Sequence, residues 1–288
     1  MDLPCLRLHA VGAWQPGQVH VRWVAGTHRV PAEARPLIER AWQDALAVPG
    51  VKLFDGPMCR LESWSGSNVG GMELRFSRTS YKLFLGTNLA NPTLAERFGV
   101  SVLANPVGVS PLLLSSDGFA LLGRRNATVA YYPRRVHPFS GALEPHDDLD
   151  VFDEVMRELR EELGFDRSDV AEMVCTGIVE DVSIRQPELI FAVRSTRRCD
   201  EIGRMVLRDE HHGSFACPAS SDGFERALSD LEQFTPVAIA SLLLFGRLAF
   251  GRAWFDRAAQ RFVRRDVLPD RTARIGDESR RVYHHPHE

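Results

Sequence analysis

Two interleaved patterns occupy residues 150–164, and a helix is the one regular structure that satisfies both. Phe152, Val155, Met156, Leu159 and Leu163 recur at three- and four-residue steps, which puts them on one face that must be buried against a core. Glu154, Glu158, Glu161 and Glu162 recur at the same steps, on a separate arc of roughly 100° at 3.6 residues per turn. Carboxylates so placed repel one another by roughly a few tenths of a kcal/mol per pair. Stacking them is unfavourable unless a cation lies over them, and hard divalent ions take carboxylate oxygens. Arg157 offers a second outlet, because it is spaced to pair with Glu154 and Glu161. Gly164 follows as a C-terminal cap. A solvated helix laced with ion pairs and a cation-binding helix both remain open on these residues alone.

Strand signals surround that helix. In residues 18–25, Val19, Val21 and Trp23 alternate with His20, Arg22 and Val24, which predicts a strand. Behind Pro31, the spacing of Leu37, Ile38, Ala41, Trp42, Ala45 and Leu46 predicts a helix over 31–47. Residues 74–76 predict another strand, 79–89 are short and aromatic, and 92–98 predict a helix. The turn signal Asn105-Pro106 marks an expected domain boundary. Apolar runs at 112–114 and 119–122 flank Ser116-Asp117-Gly118, the sign of a hairpin. Residues 173–182 and 189–193 predict strands, 197–230 read as mixed and loop-rich, and a helix starts near Pro236. A strand-rich body with an inserted helix predicts a mixed α/β fold. The expected division is an N-terminal α/β domain over 1–104, a second domain carrying the acidic helix over 105–250, and a C-terminal helix and tail over 251–288.

Composition narrows the class. The 35 basic and 38 acidic residues nearly cancel, so no global charge recruits nucleic acid or an anionic membrane. Five cysteines are scattered without a CxxC pair, which argues against a disulfide framework or structural zinc and for a reducing, cytoplasmic setting. The N-terminus lacks the basic and apolar regions of a signal peptide. The most apolar stretch, 236–245, is about half the ~20 residues of a membrane span. Nine arginines against five acids between Arg252 and Arg281 make a mild basic tail. Trp254, Phe255 and Phe262 within it are spaced for an amphipathic helix packing on the body. RNA binding is the rival for that tail, and His284, His285 and His287 are a terminal triplet able to chelate metal.

The string Arg157-Glu158-Leu159-Arg160-Glu161-Glu162-Leu163-Gly164-Phe165 resembles the second half of the Nudix box, G-x5-E-x7-R-E-U-x-E-E-x-G-U. The first half departs from it. Gly141 lies sixteen residues before Arg157, where the pattern has fourteen, so the loop acid falls on Asp147 counted forward and on Leu149 counted back. The resemblance implies a Nudix α/β/α sandwich with a mixed sheet. It further implies magnesium, or manganese in its place, on Glu158 and Glu162. Glu161 would bind a second ion or activate water, and Arg157 would orient a glutamate. Glu188 opens an apolar strand, where a carboxylate needs a partner if buried. Many Nudix relatives carry a glutamate facing the metals on the corresponding strand. Arg124 and Arg125 end the hairpin; one of them must point inward, where it can grip phosphate.

Phe54-Asp55-Gly56-Pro57, Thr79-Ser80-Tyr81-Lys82-Leu83-Phe84-Leu85-Gly86-Thr87-Asn88 and Leu103-Ala104-Asn105-Pro106-Val107-Gly108-Val109 resemble the N-terminal region of the UDP-glucose/UDP-galactose diphosphatase-like Nudix subfamily. That likeness implies hydrolysis of UDP-sugars to UMP and sugar 1-phosphate. The rivals are another nucleoside diphosphate derivative, such as GDP-mannose or ADP-ribose, and a non-catalytic Nudix ligand sensor. Tyr81 is an expected stacking surface for the base, and Asn88 an expected reader of its edge.

Overall fold

The computed structural model describes residues 2–48, 53–67, 70–127, 129, 131–207 and 211–263. The expectations for His284, His285 and His287, and for the arginines from Arg264 onward, lie outside these residues, as does the side chain of Phe262. The strands are β1 Asp2–Leu3, β2 Leu6–Trp14, β3 Val19–Thr27, β4 Pro57–Ser67, β5 Gly71–Ser80, β6 Gly108–Leu114, β7 Phe119–Arg125, β8 Val136–His137, β9 Gly141–Ala142, β10 Val170–Asp181, β11 Gln186–Ser195 and β12 His211–Pro218. The α-helices are α1 Arg35–Leu46, α2 Tyr81–Phe84, α3 Leu94–Phe98, α4 Val151–Leu163, α5 Cys199–Met205, α6 Ser221–Ala227, α7 Pro236–Phe250 and α8 Arg252–Val263.

A mixed sheet runs β1-β2-β10-β11-β6-β7-β12, with β9 beside β6 and β8 beside β7. β11 and β6 are parallel; β10 is antiparallel to both β11 and β2. Its two faces are buried against different partners, as continuous apolar runs in central strands require. On one face Val155, Leu159 and Leu163 of α4 join Val109, Leu189 and Ile178. The second sheet, β3-β5-β4, adds Leu74 and Phe76 to that same cluster. On the other face α7, apolar all round, packs with Leu112, Ile190 and Val179. Trp254 of α8 lies so close to Gly246 that any side chain there would overlap its ring. Helices on both faces of a mixed sheet are the expected α/β sandwich.

The expected boundary near Asn105 separates the three-stranded sheet from the larger one, but β1 and β2 lie across it. β2 is hydrogen-bonded along β10 and buries Leu6, Leu8 and Ala10, so the first strands of the chain complete the large sheet. The loop-rich reading of 197–230 also gives way: α5, β12 and α6 fill it. The two helices have seven residues each, too short for a clear period. In the hairpin, Gly118 takes φ 84°. Asp117 accepts from Cys199 N at 2.9 Å, so it also secures the start of α5.

Candidate active site

α4 is fixed by its ends and its apolar face. Asp150 Oδ1 accepts from Phe152 N at 2.7 Å, a cap whose loss costs about 1 kcal/mol. Gly164 closes the helix at φ 67° in the left-handed region. With the apolar stripe in the core, the acid arc turns toward β9 and the start of β12.

Arg157 ties the arc together. Its Nε donates to Glu154 Oε2 at 3.0 Å, Nη1 to Glu161 Oε2 at 3.0 Å, and Nη2 to Glu158 Oε1. Burial works against the guanidinium charge, but Glu158, Glu154 and Glu161 outweigh it and raise its pKa, so it stays charged. Neither Asp147 nor Leu149 serves as the loop acid. The Asp147 side chain is 97% exposed beside Arg78, and Leu149 is buried in the apolar core. Glu154, one turn before Arg157, is the acid that meets the arginine, and it also lies 3.1 Å from His146 Nε2. The Glu154–Arg157 pair is the one the helical spacing predicts, whereas His146 escapes the sequence reading.

The other acids have their own seats. Glu158 is 6% exposed and rests on Gly141, where a Cβ would overlap its carboxylate. Glu162 lies 3.0 Å from Nδ1 of His211, which is 2% exposed. Among the described residues, no three His, Cys, Asp or Glu side chains are gathered to hold an ion as they stand. Glu158 and Glu161 turn to Arg157, and Glu162 to His211. The donor set still suits a hard divalent cation, which takes carboxylate oxygens. The glycine cradle at Gly141 keeps the space around Glu158 free of side chain.

Arg125 is the inward arginine of the pair. It shares a face of β7 with Gly123, whose missing Cβ makes room for the His211 ring. The guanidinium lies 5.0 Å over the Tyr131 ring. Its buried Nε has no hydrogen-bond partner among the described residues. Arg124 is half-buried on the opposite face, as alternation requires. Nearby His137 is held neutral: burial, then the charges of Arg125 and His211, push its pKa well down. It bridges Thr235 Oγ1 and Ser140 Oγ, each at 2.8 Å.

Glu188 is buried and accepts from Ser110 Oγ at 3.0 Å, with its carboxylate over Gly108. Burial pushes its carboxyl up to about 8; the Ser110 bond and Arg125 pull it down, and the charges of Asp181 and Glu158 add to the rise. Strand alternation puts it with Ile190 on the α7 face, whereas Glu158 reaches Gly141, opposite Val109, from the α4 face. The two carboxylates therefore approach the same sheet end from opposite faces.

The three N-terminal segments quoted above meet in space. Tyr81 N donates to Gly56 O at 2.9 Å, Lys82 N to Asp55 Oδ1 at 2.8 Å, and Ala104 N to Asn88 Oδ1 at 2.9 Å. Tyr81 packs edge-on against Trp42 and Phe84. Asn88 is 1% exposed and its hydrogen-bonding groups are filled within the chain. Nδ2 donates to Ile184 O at 3.0 Å and Arg185 O at 3.1 Å. It fastens the turn between β10 and β11 to residues 104–105. Neither side chain joins the α4 acids directly.

No protein-family model matches the chain. It is similar to the human protein named uridine diphosphate glucose pyrophosphatase NUDT22, 26% identical over 68% of this chain and 76% of the relative. The mouse protein of that name is 27% identical over 68% and 74%. Nudix hydrolase 9 of Arabidopsis thaliana is 23% identical over 76% and 79%. The solved structure of DR0079 from Deinococcus radiodurans aligns with 48% of this chain and 80% of that one at 14% identity and a TM-score of 0.38.

Proposed function

We propose that the chain, similar to proteins named uridine diphosphate glucose pyrophosphatase and Nudix hydrolase 9, is itself a Nudix hydrolase that cleaves the diphosphate of UDP-sugars to UMP and sugar 1-phosphate with a divalent cation, magnesium first. One observation carries the reading: His211, which neighbours Glu162 of the acid arc, is paired across the strands with Arg125, a buried arginine whose Nε has a donor left over among the described residues. Acids to hold a cation and a cation to grip phosphate are what a diphosphate, itself polyanionic, requires on one face.

Glu158 and Glu162 would hold the cation, which supplies Lewis-acid polarisation of a phosphoryl oxygen. Glu161, half-exposed at the rim, would receive a proton from the attacking water or hold a second ion. Arg157 would hold Glu154 in place, and Glu158 would turn from Arg157 toward the cation when it binds. Arg125 Nε would donate to a phosphate oxygen. Residues 1–104 would favour uridine, with Tyr81 supplying part of the wall, while the Asn88 bonds serve the stability of the segment and not the choice of base.

The test is a panel of UDP-glucose, UDP-galactose, GDP-mannose and ADP-ribose with Mg2+, read by product identity. UMP and sugar 1-phosphate from the UDP-sugars, at the highest catalytic efficiency, support the reading. Preference for GDP-mannose or ADP-ribose would move the substrate, and binding of UDP-glucose without turnover would make the chain a ligand sensor.

A further inference from the structure

We infer that His211 is a positioning residue that aims the Glu162 carboxylate, and that Gly123 exists to admit its ring. The inference rests on the reading of Glu162 as a cation ligand. A glutamate in the last turn of a helix has free rotamers, and ordering such a side chain opposes ion binding. Here the carboxylate already has a close neighbour: Nδ1 of His211 lies 3.0 Å from Glu162 Oε2, a charge-pair contact that is not aligned as a hydrogen bond.

The imidazole is itself fixed from three sides. Phe139 lies against it with ring centroids 5.2 Å apart. The vacant side-chain position of Gly123 accepts its Cδ2 and Nε2 edge, and β12 pairs His211 with Arg125 of β7. The backbone repeats the tie, because Leu207 N donates to Glu162 O at 2.8 Å. The adjacent His212 does not share this role; its Nδ1 lies 2.9 Å from Arg125 O. A buried ring locked by a glycine, an aromatic and a strand register, with one nitrogen on a carboxylate of the acid arc, has the form of a residue that orients a ligand group.

Mn2+ titration followed by electron paramagnetic resonance, with melting temperature and the separate kcat and KM for UDP-glucose, tests this on the full chain. His211→Phe keeps the ring volume and removes the nitrogen; His211→Asn keeps an N–H near the Nδ1 position. His211→Phe should weaken Mn2+ binding about 10–100-fold, the usual effect of losing such an orienting partner. It should lower kcat more than it raises KM, and His211→Asn should restore most of the affinity. Glu162→Gln in the same titration separates the two layers of the reading. If Glu162→Gln loses Mn2+ and a folded His211→Phe binds it like wild type, the positioning role is overturned while the cation site stands. Equal losses in His211→Phe and His211→Asn also overturn it. If wild type binds no Mn2+, or Glu162→Gln binds it normally, the cation reading falls and takes this inference with it. Should His211→Phe fail to fold, Gly123→Ala decides, because its Cβ displaces the ring without removing a polar group. It must weaken Mn2+ binding, and an unaltered affinity refutes the inference.

Discussion

Asn88→Ala should destabilise the protein while leaving its substrate preference intact. The native amide accepts from Ala104 N at 2.9 Å and Asn105 N at 3.3 Å, and donates to Ile184 O at 3.0 Å and Arg185 O at 3.1 Å. Thr87 Oγ1 adds a contact at 3.1 Å and already donates to Leu83 O. Truncation removes all of these at a site that is 1% exposed. Each buried polar group left without a partner costs about 1–3 kcal/mol. The Ala104 N–H keeps Thr87 Oγ1 at 3.1 Å, so the loss falls on Asn105 N and the partly buried turn carbonyls, and the sum is about 2–3 kcal/mol. For a chain of this size that lowers the melting temperature by roughly 5–10 °C. The assay is thermal unfolding of wild type and Asn88→Ala, alongside catalytic efficiencies for UDP-glucose and GDP-mannose. The structural account predicts the drop in melting temperature and an unchanged ratio of efficiencies. Unaltered stability with a ratio shifted about tenfold or more, the scale of one lost base contact, would refute it and return Asn88 to base reading.

Other perturbations separate the remaining parts. Glu188 has its carboxyl raised from 4.5 to about 8, so the folded state holds its proton more tightly than the unfolded one. Its contribution is fully present below about pH 4.5 and is lost as pH rises to about 8. Without added cation, wild-type stability should fall across that window by on the order of a few kcal/mol, and Glu188→Gln should flatten the denaturant-unfolding profile; parallel profiles would contradict the burial argument. Arg125→Ala should raise KM for UDP-glucose, and should also lower the melting temperature because the buried side chain packs over Tyr131; an unaltered KM removes Arg125 from phosphate binding. Gly141→Ala should lower turnover by displacing Glu158 from its seat, and full activity would show the cradle to be irrelevant.

The helix was legible because both of its patterns are local. Apolar and acidic residues share one 3.6-residue period, and Asp150 and Gly164 bound it, so α4 runs from Val151 to Leu163 close to expectation. The partners of the acids were not legible. His146, Ser110 and His211 lie 8, 78 and 49 residues from Glu154, Glu188 and Glu162 respectively, and nothing in their neighbourhoods marks them. Sheet register brings in Ser110 and His211, and the course of the loop before α4 brings in His146.

Strand β2 shows a different limit. Leu6, Leu8 and Ala10 alternate with Arg7 and His9, a pattern that was available. What the alternation could not say is that its partner would be β10, where Arg7 and His9 meet Glu180. That pairing crosses the expected domain boundary. Asn88 and Tyr81 belong to the segment that carries the subfamily resemblance, but a side chain able to hydrogen-bond a base can equally satisfy backbone. Burial decides between these, and burial is set by the three segments converging.

The most direct measurement of the central claim is turnover of UDP-glucose by wild type and Glu158→Gln, each with Mg2+ and with chelator, with UMP and glucose 1-phosphate quantified. Glu158 sits at the junction of Arg157 and Gly141, off the apolar face of α4, so the variant should fold. The account predicts Mg2+-dependent formation of both products in equal amounts by wild type. It predicts a loss of at least ~100-fold in Glu158→Gln, the scale of a few kcal/mol of transition-state charge stabilisation. Undiminished turnover in Glu158→Gln, or turnover by wild type that chelator leaves untouched, would contradict it.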